Sequence, residues 1–444
     1  MSLRFGTDGI RGDARTDLTV AAAAALGRAG AEVLGADGFV VGRDTRESGP
    51  ALAAALHAGV AAAGGTSADL GVVPTPAVAR WCTDESVAGA MISASHNPWY
   101  DNGVKFFTAD GAKLDDALQH RIQVRFDELT QAGDTPTSAV AEDVRARAVE
   151  RHVDFLVASL GGRDLDGVHV VADLANGAAS TVAEPAFERL GADVRILHGD
   201  PDGRNINDAC GSTHPEPLQA AVVEHGADLG VAFDGDADRL VAVDGNGGIV
   251  DGDHIIAICA LDLYRRGRLV DDTVVVTVMT NLGFRRSMAE AGISVVETPV
   301  GDRHVLEVLE QRGLTLGGEQ SGHVIFRDLA TTGDGVLSAI QLLDVVHRTG
   351  RPLADLAAEA MTRLPQVLRN VRVATRPVGV DEVLAPLVDA ATNRMAGRGR
   401  VLIRASGTEP LIRVMVEAES DEEARMEAEG LVAAVESLWA SPAS

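Results

Sequence analysis

Residues 227–239 read ADLGVAFDGDADR, a short apolar run that ends in three closely spaced aspartates. An apolar run of this length, bounded by turn-forming residues, is typical of a buried β-strand. A similar run lies earlier in the chain, where residues 168–178 read VHVVADLANGA. The residues between the two runs have a helical period, so the pair predicts a strand, a helix and a strand in a mostly parallel sheet.

The same arrangement occurs twice more along the chain. GFVVGRDTR at 38–46 is followed by VAGAMISASHNP at 87–98, and DTVVVTVMTN at 272–281 is followed by LTLGGEQSGH at 314–323. In each pair the strands end in polar loops, although the loop residues differ. Because loops at the carboxyl ends of strands form ligand sites, we predict three similar mixed α/β domains that share one composite site.

Three boundaries divide the chain. The polar segment GDTPTSAVAED at 133–143 indicates a linker and places the first boundary near 148. The turn-forming DGNGG at 244–248 places the second near 250, and Pro365 ends a helical pattern at the third. The tail at 422–439 has apolar residues at helical spacing. We therefore predict α/β domains at 1–148, 149–250 and 251–365, and a smaller C-terminal α+β domain at 366–444.

The chain is strongly acidic, since its 444 residues include 65 acidic and 39 basic side chains and carry a formal net charge of -26. This charge would repel both the phosphate backbone of nucleic acids and an anionic membrane surface, so neither is an expected partner. An anionic small-molecule substrate would therefore need a local basic pocket. The sequence has no signal-peptide pattern and no apolar stretch of about 18 residues, which predicts a cytoplasmic protein.

The three cysteines, Cys82, Cys210 and Cys259, lie far apart and lack CxxC spacing. An odd number with such spacing fits neither a disulfide framework nor a cysteine zinc site, and it indicates a reducing compartment. We expect all three to be buried as small apolar residues.

Asp234, Asp236 and Asp238 lie in a turn between two strand-like runs, where their carboxylates can converge. Three close anions repel one another unless a cation lies among them, and hard oxygen ligands suit Mg²⁺. A calcium EF-hand loop is excluded, because Arg239 and Gly245 occupy the positions that need Gly and Glu. The remaining alternative is a solvated acidic turn.

The segment SASHNP at 93–98 offers serines that could accept or donate a phosphoryl group if a base or a metal activates them. His96 could be that base, but adjacent side chains usually point apart, so we expect it to organise the loop or contact phosphate. A plain turn is the alternative, since Ser, Asn and Pro all favour turns.

Lys105 follows this segment and is one of two lysines, the other being Lys113, against 37 arginines. Arginine would supply a positive charge equally well in this chain. Because lysine can lose its proton when desolvated and arginine effectively cannot, the choice favours proton transfer at Lys105. With two lysines, chance is the alternative.

Two further loops combine hydrogen-bonding groups with glycines. RASGTEPLIR at 404–413 places two arginines and two hydroxyls around a glycine turn, which suits a phosphate cradle. GGEQSGH at 317–323 offers Glu319, Ser321 and His323, a mixture of donors and acceptors that suits sugar hydroxyls. An exposed turn with surface ion pairs and a simple polar hairpin are the respective alternatives.

Together these segments resemble the α-D-phosphohexomutase superfamily, and most closely its glucosamine branch. The matching segments run in order along nearly the whole chain and are FGTDGIRG at 5–12, VGRDTR at 41–46, ISASHNPWYDNGVKFF at 92–107, FDGDADR at 233–239, GEQSGH at 318–323 and RASGTEPLIR at 404–413. The resemblance implies the fold class α/β, with three similar mixed domains and a smaller α+β domain around a central cleft.

The resemblance also implies the roles of individual residues. Ser95 would be the phosphoserine and Ser93 a bystander. The implied Mg²⁺ ligands are Ser95, Asp234, Asp236 and Asp238. The implied catalytic residues are Ser95, Lys105, Arg239, His96 and Arg11. The implied substrate-binding residues are Arg43, Arg303, Glu319, Ser321, His323, Arg404, Ser406, Gly407, Thr408 and Arg413.

The implied reaction moves phosphate between the 6- and 1-hydroxyls of glucosamine through a bisphosphorylated sugar, and supplies UDP-N-acetylglucosamine for cell-wall synthesis. Glucosamine or glucose 1,6-bisphosphate would phosphorylate the enzyme, which would be a monomer or homodimer. Gln320 and the Gly301–Arg303 loop resemble the glucosamine branch, whereas His304 replaces an expected tyrosine. The alternatives are a phosphomannomutase or phosphoglucomutase, a serine-dependent metallophosphatase, and a non-catalytic sugar-phosphate sensor.

Overall fold

A computed structural model of the chain describes residues 3–6, 9–133, 139–373, 379–405 and 410–439. Residue contacts divide the chain into two compact units. The first comprises Met1–Met279 and Gly292–Ala360, and the second comprises Thr280–Ala291 and Met361–Ser444.

The first unit begins with a seven-stranded sheet. Its strands are β1 (Phe5–Gly6), β2 (Gly9–Asp13), β3 (Phe39–Arg43), β4 (Ser67–Val72), β5 (Gly89–Ile92), β6 (Asp101–Phe107) and β7 (Glu142–Asp143). The order is β1-β2-β6-β5-β3-β4-β7, with a parallel centre of β5, β3 and β4 and antiparallel pairing of β2 and β5 to β6. The helices in this part are α1 (Val20–Leu34), α2 (Gly49–Ala62), α3 (Thr75–Glu85), α4 (Asp116–Ala132) and α5 (Arg145–Ala158).

Two glycines allow helices α1 and α2 to pack closely in this part. A Cβ on Gly27 would lie 2.2 Å from the carbonyl oxygen of Leu56, and one on Gly59 would lie 2.0 Å from that of Ala24. Both distances are far inside van der Waals contact, so neither position admits a side chain. The helices cover a core built mainly of Ala, Val, Leu and Ile side chains, together with Phe39, Phe106 and Phe126.

The next part of the first unit contains a five-stranded sheet of order β12-β11-β10-β8-β9. Its strands are β8 (His169–Asp173), β9 (Asp193–Leu197), β10 (Leu229–Phe233), β11 (Leu240–Asp244) and β12 (Ile249–Val250). β8, β9 and β10 are parallel, and β11 pairs antiparallel to β10. The helices are α6 (Ala183–Arg189) and α7 (Glu216–His225), with short 3₁₀ turns at Ala178–Thr181 and Gly211–Thr213.

The third sheet has four strands in the order β14-β13-β15-β16. The strands are β13 (Thr273–Thr277), β14 (Ser294–Thr298), β15 (Leu316–Gly318) and β16 (Val324–Phe326). A 3₁₀ turn at Val270–Asp272 precedes β13. The helices of this part are α8 (Gly252–Arg265), α10 (Asp302–Arg312), α11 (Gly335–Thr349) and α12 (Leu353–Ala360). Helix α9 (Leu282–Glu290) belongs to the second unit. β13, β14 and β15 are parallel, and β16 returns antiparallel to β15.

The second unit contains a three-stranded antiparallel sheet of order β17-β19-β18. Its elements are α9 (Leu282–Glu290), β17 (Gln366–Arg372), α13 (Val380–Met395), β18 (Arg400–Ala405), β19 (Leu411–Glu417) and α14 (Asp421–Trp439). The buried carboxylate of Glu417 accepts the backbone N–H of Leu282 at the start of α9, at 2.9 Å, and pairs with Arg400 at 2.6 Å. Helix α9 therefore belongs to this unit although it lies far from it in sequence.

The predicted fold class is confirmed, with three mixed α/β sheets and a smaller C-terminal α+β part. All three cysteines are buried and unpaired, as expected. Within the described residues, no helix is both long and apolar enough to cross a bilayer.

Candidate active site

Ser95 lies in the loop that follows strand β5. It is buried and has a left-handed backbone conformation, with φ of 53°. Its hydroxyl donates a hydrogen bond to Oδ2 of Asp234 at 2.5 Å, and Asp234 directly follows strand β10 of the second sheet. A non-glycine residue in this conformation is held there by its surroundings, which is common at functional sites.

Arg46 is the first group that holds this loop. Its guanidinium donates to the carbonyl oxygens of Ser95, at 3.1 Å, and of Asn97, at 2.5 Å, and it pairs with the buried carboxylate of Asp44. Ser93 accepts the backbone N–H of Ser95 at 2.9 Å and donates to Asp44 at 2.6 Å. Ser93 was expected to have no role, but its hydrogen bond helps to position the Ser95 loop. Asp44 bonds to both Ser93 and Arg46 and so connects the two groups that hold this loop.

Asn207 holds the same loop from the second α/β part. Its Nδ2 donates to the carbonyl oxygens of Ser95, at 2.9 Å, and of Asn97, at 3.2 Å. Arg46, Asp44 and Asn207 were not among the predicted site residues. For Arg46 and Asp44 the signal was present, because both lie in the quoted segment GRDTR, whereas nothing local in sequence indicated Asn207.

The three aspartates of the turn between β10 and β11 converge as predicted. Asp234, Asp236 and Asp238 are all buried, and one carboxylate oxygen from each lies within 4.8 Å of the others. Oδ1 of Asp236 and Oδ1 of Asp238 are buried and accept no hydrogen bond from the described part of the chain. Burial, together with the charges of Asp238 and Asp236, raises the pKa of Asp234 to about 8. These features fit a divalent cation bound by oxygen ligands, and they exclude the solvated turn.

Lys105 contacts this triad from strand β6. Its Nζ lies 2.8 Å from Oδ2 of Asp236 and 3.5 Å from Oδ2 of Asp238, and the side chain is buried. The hydroxyl of Thr75 donates to the same Asp236 oxygen at 2.6 Å. Pairing of β6 with β5, in which Lys105 opposes Met91, brings this lysine to the triad.

His96 and Arg239 lie beside the Ser95 hydroxyl. Nδ1 of His96 is 3.2 Å from Oγ of Ser95 and 3.5 Å from Nη1 of Arg239, so the imidazole does not point away from its neighbour as expected. The backbone N–H of Arg239 donates to Oδ1 of Asp234 at 3.2 Å. Burial, and then the charges of Arg239 and Arg11, lower the pKa of His96, which favours the neutral ring.

A cavity of about 440 Å³ opens beside these groups. Its charged and imidazole-bearing lining residues are Arg4, Arg11, His96, Lys113, Asp238, Arg239, Asp302, Glu319 and His323. Arginine and lysine contribute four of these side chains, against three carboxylates, so the acidic protein contains the basic pocket that an anionic substrate needs.

Glu319 and His323 connect the third sheet to this cavity. Oε1 of Glu319 accepts the backbone N–H of Gly301 at 2.9 Å. The buried ring of His323 lies between Asp302, with Nε2 3.1 Å from Oδ2, and Asp238, with Nδ1 3.7 Å from Oδ1. Burial disfavours the charged ring, but both carboxylates outweigh it and raise the pKa of His323 to about 10. Ser321 is exposed and is absent from the described cavity lining.

Arg303 and Arg43 also lie outside the described cavity lining. Nη1 of Arg303 donates to the exposed carboxylate of Asp116 on helix α4 at 2.6 Å. Arg43 is partly buried, and its Nη1 donates to the carbonyl oxygen of Asp44 at 3.4 Å. The arginine of this segment that reaches the Ser95 loop is Arg46.

The predicted phosphate cradle lies in the second unit. Arg404 on β18 and Arg413 on β19 are directly opposed, so their side chains project from the same face of the sheet. Both are partly buried. The remaining predicted members, Ser406, Gly407 and Thr408, lie outside the described residues.

The chain is similar to known proteins over its whole length. It matches the Phosphoglucomutase/phosphomannomutase family throughout, with alpha/beta/alpha domain I at 2–133, domain II at 147–248, domain III at 251–364 and the C-terminal domain at 368–434. It is 52% identical to a phosphoglucosamine mutase of Frankia alni, covering 100% of both chains. It is 50% identical to a phosphoglucosamine mutase of Rhodococcus opacus, covering 99% of this chain and 100% of that one.

A solved structure with the same architecture is that of a phosphoglucomutase/phosphomannomutase family protein from Burkholderia thailandensis. It is 27% identical and superposes with a TM-score of 0.80 over 98% of each chain.

Proposed function

The chain belongs to the phosphoglucomutase/phosphomannomutase family, and on that premise we propose that it interconverts glucosamine 6-phosphate and glucosamine 1-phosphate. Enzymes of this family are phosphohexomutases, which are isomerases that move a phosphoryl group within a sugar. The single observation that carries the proposal is the hydrogen bond of 2.5 Å between the Ser95 hydroxyl and Asp234, a member of the buried aspartate triad.

We assign Ser95 as the phosphoryl carrier. Its hydroxyl faces both a carboxylate of the triad and the neutral imidazole of His96, which is the environment that a weak nucleophile needs. Asp234, Asp236, Asp238 and the Ser95 phosphate would hold Mg²⁺. Bound there, Mg²⁺ would neutralise negative charge that develops on the transferring phosphoryl group.

In the first half-reaction the bond between phosphorus and Ser95 Oγ breaks and a bond to the free hydroxyl of the sugar forms. The sugar hydroxyl gives up its proton, for which Lys105 and His96 are the candidate acceptors. His96 is 3.2 Å from Ser95 Oγ, and Lys105 is held against Asp236. The bisphosphorylated sugar then turns over, and its other phosphoryl group returns to Ser95. Glucosamine or glucose 1,6-bisphosphate would prime the enzyme by the same return step.

The basic cavity of the first unit would bind the substrate. Glu319 and His323 would hold sugar hydroxyls, while Arg11 and Arg239 would face the transferring phosphate. Arg404 and Arg413 would bind the phosphate that remains on the sugar. The two arginines are opposed on neighbouring strands and lie on one face of the sheet, so both can reach the same phosphate, which supports this role.

Arg303 could leave its ion pair with Asp116 and bind the substrate at little cost in free energy. Its partner Asp116 is exposed, and exposed ion pairs contribute only about 0–1 kcal/mol. Arg303 and the exposed Ser321 would therefore turn toward the sugar on binding. Arg43, held near Asp44, would act on substrate only through the Ser95 loop.

The choice of glucosamine rests on relatives. The two full-length relatives described above, at 52% and 50% identity, are phosphoglucosamine mutases. The proposed role is supply of glucosamine 1-phosphate for UDP-N-acetylglucosamine and cell-wall synthesis. We further propose four domains divided near 148, 250 and 365, a monomer or homodimer, and a cytoplasmic location in which three unpaired thiols persist.

The test compares catalytic efficiencies on glucosamine 6-phosphate, mannose 1-phosphate and glucose 1-phosphate, with phosphorylated enzyme and Mg²⁺. We expect glucosamine 6-phosphate to be preferred, and a clear preference for either neutral sugar would refute the proposed substrate.

Intact mass after incubation with a hexose 1,6-bisphosphate tests the chemistry. A phosphoryl increment that Ser95→Ala removes supports the mutase. A protein that is never phosphorylated would be a sugar-phosphate sensor, and stoichiometric phosphate release without a primer requirement would identify a phosphatase.

A further inference from the structure

A second group of metal-ligating side chains lies at the edge of the five-stranded sheet. It consists of Asp173, His198 and Cys210, and one ligand atom from each lies within 4.8 Å of the others. Asp173 ends strand β8, His198 directly follows strand β9, and Cys210 precedes the 3₁₀ turn at Gly211–Thr213. Parallel pairing of β8 with β9, in which Asp173 opposes Leu197, brings the first two residues together.

Asp173 accepts hydrogen bonds from two backbone N–H groups and contacts the ring of His198. Oδ1 of Asp173 accepts the backbone N–H of Ala175 at 2.9 Å, and Oδ2 accepts that of Gly211 at 3.0 Å. Nδ1 of His198 lies 3.0 Å from the same Oδ2. Because a carboxylate has about four lone-pair sites, two backbone donors leave Asp173 free to bind a cation as well. The donors also fix the orientation of the carboxylate, as outer hydrogen bonds do in metal sites.

Asp173 and Cys210 are fully buried, whereas 32% of the His198 side chain is exposed. An ion could therefore enter past the imidazole. The carboxylates of Asp173 and Asp208 lie near the buried sulfur of Cys210, and their negative charge favours a cation beside it.

We propose that Asp173, His198 and Cys210 form a binding site for a thiophilic divalent cation of the Zn²⁺ class. Thiolate, imidazole and carboxylate are the ligand types that Zn²⁺ takes, and three such ligands leave one position for water. Mg²⁺ prefers an all-oxygen set such as the aspartate triad, so the two sites would select different ions. On binding, the thiol releases its proton to solvent, and the imidazole carries its proton on Nε2 so that Nδ1 can bind the ion.

Cysteine spacing could not indicate this site, because Cys210 is the only cysteine in it and the other ligands come from distant strands. The site is also linked to the Ser95 loop through a neighbouring residue, Asn207. Asn207, three residues before Cys210, donates from its side chain to the carbonyl of Ser95 and from its backbone to that of Ala175, at 2.9 Å each. A bound ion would fix the segment that carries this contact.

Cd²⁺ is a suitable probe, because a Cd²⁺–thiolate bond gives an ultraviolet charge-transfer absorption that oxygen ligands do not. We would titrate the full-length protein with Cd²⁺ in excess Mg²⁺, which occupies oxygen sites and competes poorly for sulfur. We expect one equivalent of the band in the native protein and in Cys82→Ser and Cys259→Ser. In Cys210→Ser the band should disappear, with an unchanged far-ultraviolet circular dichroism spectrum.

His198→Gln tests the site independently of any folding defect in Cys210→Ser, since His198 is partly exposed. This variant should bind Cd²⁺ at least tenfold more weakly. Zn²⁺ should displace the Cd²⁺ band and raise the melting temperature of the native protein more than that of His198→Gln. Absence of the band in the native protein, or its persistence in Cys210→Ser, would overturn the proposal. None of these measurements uses mutase activity.

Discussion

The hydroxyl of Ser95 lies 2.5 Å from Oδ2 of Asp234, although 139 positions separate the two residues in sequence. The first follows a strand of the seven-stranded sheet, and the second follows a strand of the five-stranded sheet. The proposed phosphoserine and the turn proposed to bind Mg²⁺ are therefore supplied by different sheets of one unit. Groups that position this contact should affect the rate more than they affect substrate affinity, since they act on the reacting atoms.

Replacing Lys105 with arginine separates its charge from its ability to transfer a proton. Arg keeps the positive charge opposite Asp236 but effectively cannot lose a proton. We expect Lys105→Arg to lower kcat by roughly 10²–10⁴ if Lys105 exchanges protons with the substrate. Mg²⁺ affinity, measured by calorimetry, serves as the control and should change little. A kcat within a fewfold of the native value would assign Lys105 to charge compensation alone.

Asn207→Ala removes two hydrogen bonds to the Ser95 loop, from Nδ2 to the carbonyls of Ser95 and Asn97. The Arg46 guanidinium still donates to both carbonyls, so each lost hydrogen bond costs about 0.5–1.5 kcal/mol, and we expect kcat to fall roughly fivefold to hundredfold with KM nearly constant. Asn205→Ala is a matched control, because its side chain bonds only within the local turn among the described residues. Equal effects of the two substitutions would contradict a positioning role for Asn207.

Removal of Mg²⁺ should make stability depend on pH through Asp234. In the metal-free protein the pKa of this carboxyl is raised to about 8 by burial and by Asp238 and Asp236. The folded state then holds a proton that the unfolded state has released, so stability from this group falls as pH rises between about 4 and 8. Bound Mg²⁺ would take the place of that proton.

We therefore expect the difference in melting temperature between Mg²⁺-saturated and EDTA-treated protein to widen from pH 5 to pH 8. Differential scanning fluorimetry in matched buffers measures it. A difference that is constant with pH would show that the triad is already ionised without metal.

Ala396 ends helix α13 in the left-handed conformation, with φ of 50°. Glycine adopts this conformation without the steric penalty of a Cβ, so Ala396→Gly should stabilise the second unit by about 1 kcal/mol. Ala390→Gly, at an exposed interior position of the same helix, should destabilise it by about 1 kcal/mol. Urea unfolding followed by circular dichroism measures both, and two shifts of the same sign would contradict the expectation.

The positions of the strands, and of the polar residues that follow them, could be predicted from the sequence. Apolar runs located the strands, and the polar residues after each run placed Ser95, Asp234 and Glu319 at the ends of β5, β10 and β15. The convergence of three aspartates followed from their spacing in one turn. These features depend on local sequence alone.

Contacts between distant segments could not be predicted in the same way. Asn207 reaches Ser95 only because the two sheets pack with their loops in contact. Arg303 directly follows Gly301 and Asp302, which line the cavity. Its side chain nevertheless pairs with Asp116, because that carboxylate is within reach on helix α4. His96 turns toward Ser95 Oγ because the loop is held in a left-handed conformation at Ser95. Side-chain direction in loops depends on such tertiary contacts.

Helix α9 has a consequence for any attempt to dissect the protein. A fragment beginning at residue 366 would contain all three strands of the last sheet but would lack the segment Thr280–Ala291. Glu417 would then lose its bond to the Leu282 backbone, and Leu364, which exchanges two hydrogen bonds with Asn281, would also be missing. We therefore expect that the C-terminal part of this enzyme does not fold well alone, because it depends on a helix that the ribosome makes some eighty residues earlier.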